Sequence, residues 1–142
     1  MDLMLQLESP GYILRISRDD WLEQVFRLNK YYTGIMRDYK RGTPILLAMK
    51  AEGRDSFVGY GIVDKVEMLW EMPPEEEDYS RGHGWKCGLT FRGLTRFTKP
   101  YPIGKSCLST DPRRGAFLNG AKLTEDQVDS ILEAAEDNQG EG

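Results

Sequence analysis

The sequence predicts an α+β domain, in which a mixed, barrel-like sheet is flanked by short helices. Helical periodicity is clear only in two stretches, residues 17–29 and 124–135, and strand-like apolar segments recur between them. The longest of these segments, residues 57–70, contains two glycines, which inside a strand often mark a bulge or a tight barrel bend. We expect one domain over residues 1–136 and a disordered acidic tail over residues 137–142.

The N-terminal part predicts a strand followed by a helix. Residues 12–16 have the apolar pattern of a strand, and Ser17 is a typical N-cap residue with Asp20 three positions later. The helix is expected to end near Asn29. Its apolar residues share one face at helical spacing: Trp21, Leu22, Val25 and Phe26. We therefore expect the helix to lay an aromatic stripe on the core.

Two strands are predicted after a polar loop. Residues 31–35 form an aromatic, glycine-containing loop, and a basic turn follows at residues 40–42. Residues 45–49 are almost all apolar, which favours a central strand. After a flexible break at residues 51–56, residues 57–70 predict a longer strand that is buried on both faces at its start.

The next stretch predicts an acidic loop and then more strands. Residues 72–80 indicate an exposed loop whose carboxylates are solvated. Residues 85–91 indicate a strand. Prolines divide the short β segments that follow, at residues 94–97 and 101–103.

The last helix has the clearest start signal. Thr124 and Gln127 have the spacing of a capping box, T-x-x-Q. The apolar stripe that follows consists of Val128, Ile131, Leu132 and Ala135. This pattern predicts that one face of the helix packs on the sheet.

Charge is segregated along the chain. The formal net charge is −4, yet residues 81–122 carry nine Lys and Arg against a single Asp. Residues 27–54 carry seven Lys and Arg against two carboxylates. Acidic residues gather at 64–78 and 123–142, with seven carboxylates in each. Such a chain can present a basic face to phosphates while remaining acidic as a whole, unless the blocks interleave in space and cancel.

The composition argues against several functional classes. A single histidine, His83, excludes a multi-histidine metal site, so we expect no metal, no cofactor and no catalytic residues. The two cysteines, Cys87 and Cys107, are too few for a disulfide scaffold and are expected to be buried, reduced thiols. No apolar run approaches a membrane span of about 20 residues. Reduced thiols are typical of the cytoplasm, where we expect this protein, and we read no signal-peptide pattern at the N-terminus.

The order of these elements resembles the EVE-type branch of the PUA-like superfamily over residues 11–135. The resemblance rests on the capped helix with a tryptophan at residues 17–21, the loop at residues 31–35, the glycine-containing strand and the strand that begins at Trp85. The family has Trp-Gly in the loop after the first helix, where this chain has Tyr-Thr-Gly at residues 32–34. PUA-like domains are mixed-sheet pseudobarrels. Several bind RNA, and the YTH and EVE branches hold a modified base in an aromatic pocket.

The resemblance implies a set of binding residues. The mouth of the pocket would consist of Tyr31, Tyr32, Thr33, Gly34 and Ile35. Trp70 or Trp85 would form a wall, although both could instead belong to the core. Phosphate contacts would come from Arg81, Arg113 and Arg114, and the two adjacent arginines could equally form a solvated turn.

The resulting interpretation is a non-catalytic module that binds RNA or a modified nucleobase, with DNA as a possible ligand. We expect a monomer or a weak homodimer that does not contact membranes. One alternative is a protein-interaction or dimerisation module that uses the acidic tail and residues 71–79. Another is a small nucleotide-processing enzyme, with catalytic residues drawn from His83, Asp64, Lys86 or the arginines.

Overall fold

Six strands form one mixed sheet in the computed structural model, which describes residues 10–113 and 115–140. In chain order they are β1 (Gly11–Ile16), β2 (Lys30–Thr33), β3 (Pro44–Ala51), β4 (Arg54–Met68), β5 (Cys87–Pro102) and β6 (Ala121–Leu123). The spatial order is β2-β5-β4-β3-β1-β6. The β1–β3 pair is parallel, and the other pairs are antiparallel. The sheet curls into a half-barrel, with β2 and β6 at its two edges.

Three helices accompany the sheet: α1 (Asp19–Leu28), α2 (Pro74–Gly82) and α3 (Glu125–Gly140). Leu22 and Val25 of α1 are buried in the core on one face of the sheet. Val128 and Ile131 of α3 are buried on the other face. The predicted α+β architecture, a mixed barrel-like sheet with short flanking helices, is confirmed.

The central strands are buried on both faces. Because side chains alternate along a strand, Leu14 lies in the core on the α1 face while its neighbour Ile13 lies in the core on the α3 face. Leu47 and Leu46 of β3 divide in the same way. Each such side chain stabilises the fold by about 1.5–3 kcal/mol relative to an exposed position. The prediction that residues 45–49 form a central strand is confirmed.

The start of α1 differs from the prediction. Ser17 does not cap the helix, because the backbone remains extended through Arg18, at φ −136° and ψ 139°, and helical geometry begins at Asp19. No side chain caps this end; two acidic residues, Asp19 and Asp20, occupy the first turn, where they favourably face the free amides. The predicted end is confirmed, with Asn29 in the left-handed conformation at φ 57°.

The predicted acidic loop at residues 72–80 is wrong, because most of it forms α2. Pro74 starts this helix with its φ already set, and Glu75, Glu76 and Glu77 in the first turn complement the helix dipole. The carboxylates are therefore not all solvated surface: Glu76 is partly buried against the sheet. Composition indicated exposure here, but the position of the proline was the better signal.

The flexible break predicted at residues 51–56 is also wrong. Glu52 and Gly53 form a two-residue hairpin turn between β3 and β4, with φ of 53° and 84°. A turn with positive φ at both central positions has a backbone twist that matches the right-handed twist of the two antiparallel strands it joins. The hairpin therefore holds the ends of β3 and β4 in a fixed register, with Lys50 opposite Asp55.

The C-terminal half contains longer elements than predicted. The three β segments expected between residues 85 and 103 are one strand, β5, whose pairing with β4 has three register shifts, one of them at Pro100. The capping box of α3 is confirmed: the Thr124 amide donates to Oε1 of Gln127 at 2.9 Å, and the Gln127 amide donates to Oγ1 of Thr124 at 3.1 Å. Strand β6, just before it, was missed.

Helix α3 continues to Gly140, into the segment for which a disordered tail was predicted. The reason is a set of hydrogen bonds to β5. Nδ2 of Asn138 donates to the Pro100 carbonyl at 3.3 Å, and Oε1 of Gln139 accepts from the Lys99 amide at 2.8 Å. Residues 141–142 lie outside the described part.

Both cysteines are free. Cys87 is buried, and burial raises the pKa of its thiol to about 11. Cys107 is exposed, so the expectation of two buried thiols holds for Cys87 alone. Among the described residues, no helix is long and apolar enough to cross a membrane.

Candidate functional site

A cleft lies where β1 and β2 face each other across the open side of the half-barrel. The two strands are not hydrogen-bonded neighbours in the sheet, and helix α1 connects the end of one to the start of the other. One hydrogen bond that joins them runs from the Tyr31 hydroxyl to the Arg15 carbonyl, at 3.3 Å. The cleft has a volume of about 140 Å³. Since pockets for drug-sized ligands measure roughly 300–1,000 Å³, this cleft suits one planar ring.

Aromatic and amide side chains dominate its walls. The lining residues are Arg15, Ile16, Ser17, Trp21, Gln24, Val25, Tyr31, Tyr32, Thr33, Gly34, Trp85 and Asn119. Most of them come from the end of β1, one face of α1 and the end of β2, and Trp85 and Asn119 join them from the segments just before β5 and β6. The walls can therefore offer flat apolar surface and hydrogen-bonding groups to the same ligand.

Strand β2 places its two tyrosines on opposite faces. Residues 31–35 were predicted to form a loop, but the first three of them belong to a strand paired with β5. Tyr31 is 8% exposed and lies in the core, and its burial raises the pKa of its hydroxyl. Tyr32 is only partly buried and points to the face covered by α2. The strand geometry thus explains why adjacent tyrosines have different environments.

Five rings pack together beside the cleft, and we name them the aromatic cluster: Trp21, Tyr32, Tyr79, His83 and Trp85. The rings of Tyr32 and Trp85 are stacked, with centroids 5.3 Å apart and planes 11° apart. His83 also stacks on Trp85, with a centroid distance of 4.5 Å. Trp21 meets Trp85 edge-on at 5.6 Å. These contacts hold Trp85 in a fixed orientation at the cleft wall.

The end of β2 lies close to the segment that enters β5. A Cβ atom on Gly34 would come 2.7 Å from the carbonyl oxygen of Gly84. Because that oxygen belongs to the backbone, no side-chain movement could relieve the contact. Glycine at position 34 therefore allows β2 to approach the chain just before Trp85, and this approach closes one end of the cleft.

Lys30 anchors α2 to the sheet below the aromatic cluster. Its ammonium group forms ion pairs with Glu67 of β4 and Glu76 of α2. Burial alone lowers the pKa of Lys30, but the hydrogen bonds to the two carboxylates outweigh it, and the net pKa is raised. The Tyr32 hydroxyl donates to Oε2 of Glu76 at 2.6 Å, and burial together with this carboxylate raises the pKa of Tyr32.

Two amide side chains at the cleft have their oxygen atoms already engaged. The backbone amide of Arg15 donates to Oδ1 of Asn119 at 3.1 Å. The Tyr79 hydroxyl donates to Oε1 of Gln24 at 3.0 Å. Within the described part of the chain, the NH₂ groups of Asn119 and Gln24 have no protein partner. These two side chains can therefore act as hydrogen-bond donors to a ligand.

The structure brings together half of the residues predicted for the site. Tyr31, Tyr32, Thr33, Gly34 and Trp85 all line the cleft. Thr33 is buried, and its hydroxyl oxygen accepts from the Ile35 amide at 2.9 Å. Ile35 itself does not line the cleft.

The other predicted residues lie elsewhere. Trp70 is not a cleft wall and not a core residue: it is 76% exposed, in the 3-10 helix Leu69–Glu71 that follows β4. Arg81 forms an ion pair with Glu77 on α2. Arg113 forms an ion pair with Asp111. None of these three residues lines the cleft. Arg114 lies outside the described residues.

Seven residues that line the cleft were not predicted for the site: Arg15, Ile16, Ser17, Trp21, Gln24, Val25 and Asn119. Trp21 was assigned to the core because it shares a helical face with Leu22 and Val25, and helical spacing does not separate it from them. Asn119 is more than 80 residues from β2, so only the tertiary fold brings it to the cleft.

Comparisons with known proteins bear on the fold. No family model matches this sequence, and no curated protein matches it. One similar solved structure is "Crystal structure of ASCH from Zymomonas mobilis", with a TM-score of 0.57 and 8% identity. The match covers 85% of this chain and 94% of that chain. The fold is PUA-like.

The structural match extends over most of this chain. At 8% identity it is a likeness of fold. The predicted fold class is therefore confirmed. The neighbour is an ASCH domain, so the narrower resemblance to the EVE-type branch stays a prediction.

Proposed function

We propose that this PUA-like domain is a non-catalytic module that binds single-stranded RNA by holding one base in the cleft between β1 and β2. The observation that carries the proposal is the stacked pair Tyr32 and Trp85, which borders a cleft of single-ring size. Stacking a base on an aromatic side chain contributes about 1–3 kcal/mol to binding. An unstacked base in a loop or single strand is the usual target of sequence-specific RNA recognition.

The polar groups of the cleft suit the edge of a base. The free NH₂ groups of Gln24 and Asn119 are donors, so they match the carbonyl oxygens of uracil, cytosine or guanine. Each amide is oriented by the bond that its oxygen accepts, which reduces the cost of ordering it on binding. We therefore expect the module to prefer bases that carry carbonyl oxygens over adenine.

The narrower EVE-type assignment belongs to the same proposal. In that branch an aromatic pocket holds a modified base, and the cleft here has aromatic walls at Trp21, Tyr32 and Trp85. A small modification on the base would add apolar contact area with these rings. DNA remains an alternative ligand, because none of the groups named so far distinguishes a ribose from a deoxyribose.

The deciding experiment is binding of labelled single-stranded RNA and DNA, each with and without common modified bases, over a range of salt concentrations. The proposal expects binding that weakens as salt rises and a preference among bases. Absence of binding to every oligonucleotide at low salt would contradict it. The same samples, measured by sedimentation across a wide concentration range, test whether the protein is a monomer or a weak homodimer.

A protein-interaction module is the second candidate, and one observation favours it. Trp70 is 76% exposed at the start of the acidic segment that leads into α2. Tryptophan is enriched at protein–protein interfaces, so a large exposed aromatic side chain is a typical interface feature. If Trp70→Ala leaves RNA binding intact but abolishes a protein contact, the two functions are separate.

The residues considered for catalysis do not converge. Asp64 forms an ion pair with Arg41, whereas His83 packs on Trp85 in the aromatic cluster. Within the described contacts, no hydrogen bond joins a nucleophile to either residue. A binding role therefore accounts for these side chains better than a catalytic one.

A further inference from the structure

A second cleft lies at the end of the β3–β4 hairpin. Its volume is about 430 Å³, which falls within the range of ligand pockets. Among the described residues that line it, three side chains are cationic, those of Arg15, Lys50 and Arg54, and one is a carboxylate, that of Asp55. Gly53, Gly104 and Gly115 form much of the remaining wall.

Arg15 also lines the first cleft, so this residue borders both. Its Nε donates to Oδ1 of Asp55 at 3.0 Å, and Oδ2 of Asp55 accepts from the Gly115 amide at 3.0 Å. Both oxygens of Asp55 are therefore engaged. The terminal nitrogens of Arg15 have no protein partner in the described residues, and they remain available to a ligand.

Lys50 and Arg54 differ from most other cations of this domain. Several exposed basic side chains are paired: Arg41 with Asp64, Arg81 with Glu77 and Arg96 with Glu23. Lys50 and Arg54 are exposed and form no ion pair in the part of the chain that the structure describes. With Arg15, and with Asp55 subtracted, they give the described lining of the second cleft a net charge of +2. A rigid two-residue turn holds Lys50 and Arg54 on neighbouring strands.

We infer that the second cleft binds a phosphate group of the same nucleic-acid strand whose base occupies the first cleft. This inference rests on the proposed function. Since Arg15 lines both clefts, a nucleotide can place its base against Trp85 and a phosphate against Lys50 and Arg54. The ligand class is then a phosphodiester strand rather than a free base or nucleoside.

An exposed aromatic residue beside the second cleft supports a strand rather than a single nucleotide. Phe117 is 79% exposed in the 3-10 helix Gly115–Leu118, whose first and last residues line the cleft. Basic grooves interleaved with aromatic platforms are typical of single-strand binding sites. Phe117 offers a stacking surface for the base next to the bound phosphate.

The test compares the double variant Lys50→Ala/Arg54→Ala with a matched control, Lys40→Ala/Arg41→Ala. Both variants remove two positive charges from exposed positions at opposite ends of β3. The measurement is the slope of log K against log salt for a labelled oligonucleotide, with and without an abasic site at one position. Each phosphate contact to a single strand contributes about 0.7 to this slope.

Because the second cleft would hold one phosphate, we expect the Lys50/Arg54 variant to lose about 0.7 from the slope, so that its loss of affinity between 50 and 200 mM salt is about 2.6-fold smaller than that of the wild type. Its preference for the intact over the abasic strand should match that of the wild type. The control should keep the full slope. An unchanged slope in the Lys50/Arg54 variant, with binding otherwise normal, overturns the phosphate site and leaves the base site standing.

If the wild type binds no oligonucleotide, the proposed function fails, and the phosphate site is judged separately. The probe is then inorganic phosphate, followed by NMR at the backbone amides of Gly53, Gly104 and Gly115. Saturable shifts in the wild type that disappear in the Lys50/Arg54 variant support an anion site that serves another phosphorylated ligand. No shifts in the wild type overturn the inference.

Discussion

Lys30 on β2 forms an ion pair with Glu67 on β4, although strand β5 lies between them. Gly88 of β5 makes this possible, because it is opposite Tyr32 on one side and opposite Glu67 on the other. Without a side chain at position 88, the Lys30 side chain can cross the strand. Glu76 of α2 joins the same ammonium group, so one lysine holds three elements beneath the aromatic cluster.

Gly88→Ala should therefore destabilise the domain. The added Cβ would lie 2.5 Å from Cε of Lys30 and 3.3 Å from the Tyr32 ring, so Lys30 would have to leave at least one of its partly buried carboxylates. We expect a loss of about 1–3 kcal/mol in the free energy of unfolding, measured with urea. Gly82→Ala is the control, since a Cβ there meets nothing within 4 Å. If both variants are equally stable, the Lys30 side chain does not depend on the space at Gly88 to cross β5.

The Lys30 network also predicts a dependence of stability on pH. Burial raises the pKa of the Glu76 carboxyl, but hydrogen bonds from Lys30 and Tyr32 outweigh it and lower the net value below 4.5. Glu76 therefore stabilises the fold above pH 4.5, and this contribution is lost as the pH falls through its lowered pKa. The stability difference between wild type and Glu76→Gln should be largest near neutral pH and shrink in acid.

Glu75→Gln provides the control for that titration. Glu75 is exposed on the same helix turn and forms no ion pair in the described part of the chain. Its substitution should leave the pH profile of the unfolding free energy close to that of the wild type. If Glu75→Gln and Glu76→Gln give parallel profiles, the ion pair with Lys30 does not contribute to stability.

Tyr32 allows the ring and the hydroxyl to be tested separately. If a base stacks at the cleft, Tyr32→Leu should weaken RNA binding by about 1–3 kcal/mol, because the flat wall is lost. Tyr32→Phe keeps the ring and removes only the bond to Glu76, so it should bind nearly as well as the wild type. Fluorescence anisotropy with a labelled oligonucleotide checks both. Equal affinity of Tyr32→Leu and the wild type would remove Tyr32 from the site.

Local patterns predicted much of this fold but not the contacts that assemble the site. The capping box at Thr124 and the apolar run of β3 are signals within a few residues, and both predictions are confirmed. The acidic stretch at residues 72–80 was misjudged because its composition outweighed Pro74, a helix-start signal. The two carboxylate partners of Lys30 are 37 and 46 residues away in the sequence, and the carboxylate partner of Arg15 is 40 residues away. No pattern in the sequence encodes such pairings.

The position of Asn119 shows what sequence could not supply and gives the sharpest test of the base site. Its oxygen accepts from the Arg15 amide, and its NH₂ group is free towards the cleft. Asn119→Asp keeps the acceptor and the shape but replaces the donor with a negative charge. If a base carbonyl binds there, the variant should lose about 1–3 kcal/mol of binding free energy, because that carbonyl is left without a donor.

The matched control for Asn119→Asp is Gln127→Glu. It makes the same amide-to-carboxylate change and keeps the bond that the Thr124 amide donates to Oε1, but it lies on α3 outside the cleft. Isothermal titration with oligonucleotides that differ at one base should show full affinity for Gln127→Glu. Asn119→Asp should lose affinity most for uracil, cytosine and guanine and least for adenine, which has no carbonyl oxygen. A uniform loss across all four bases would instead mean that the new charge repels the phosphate backbone, and Asn119 would then not read the base.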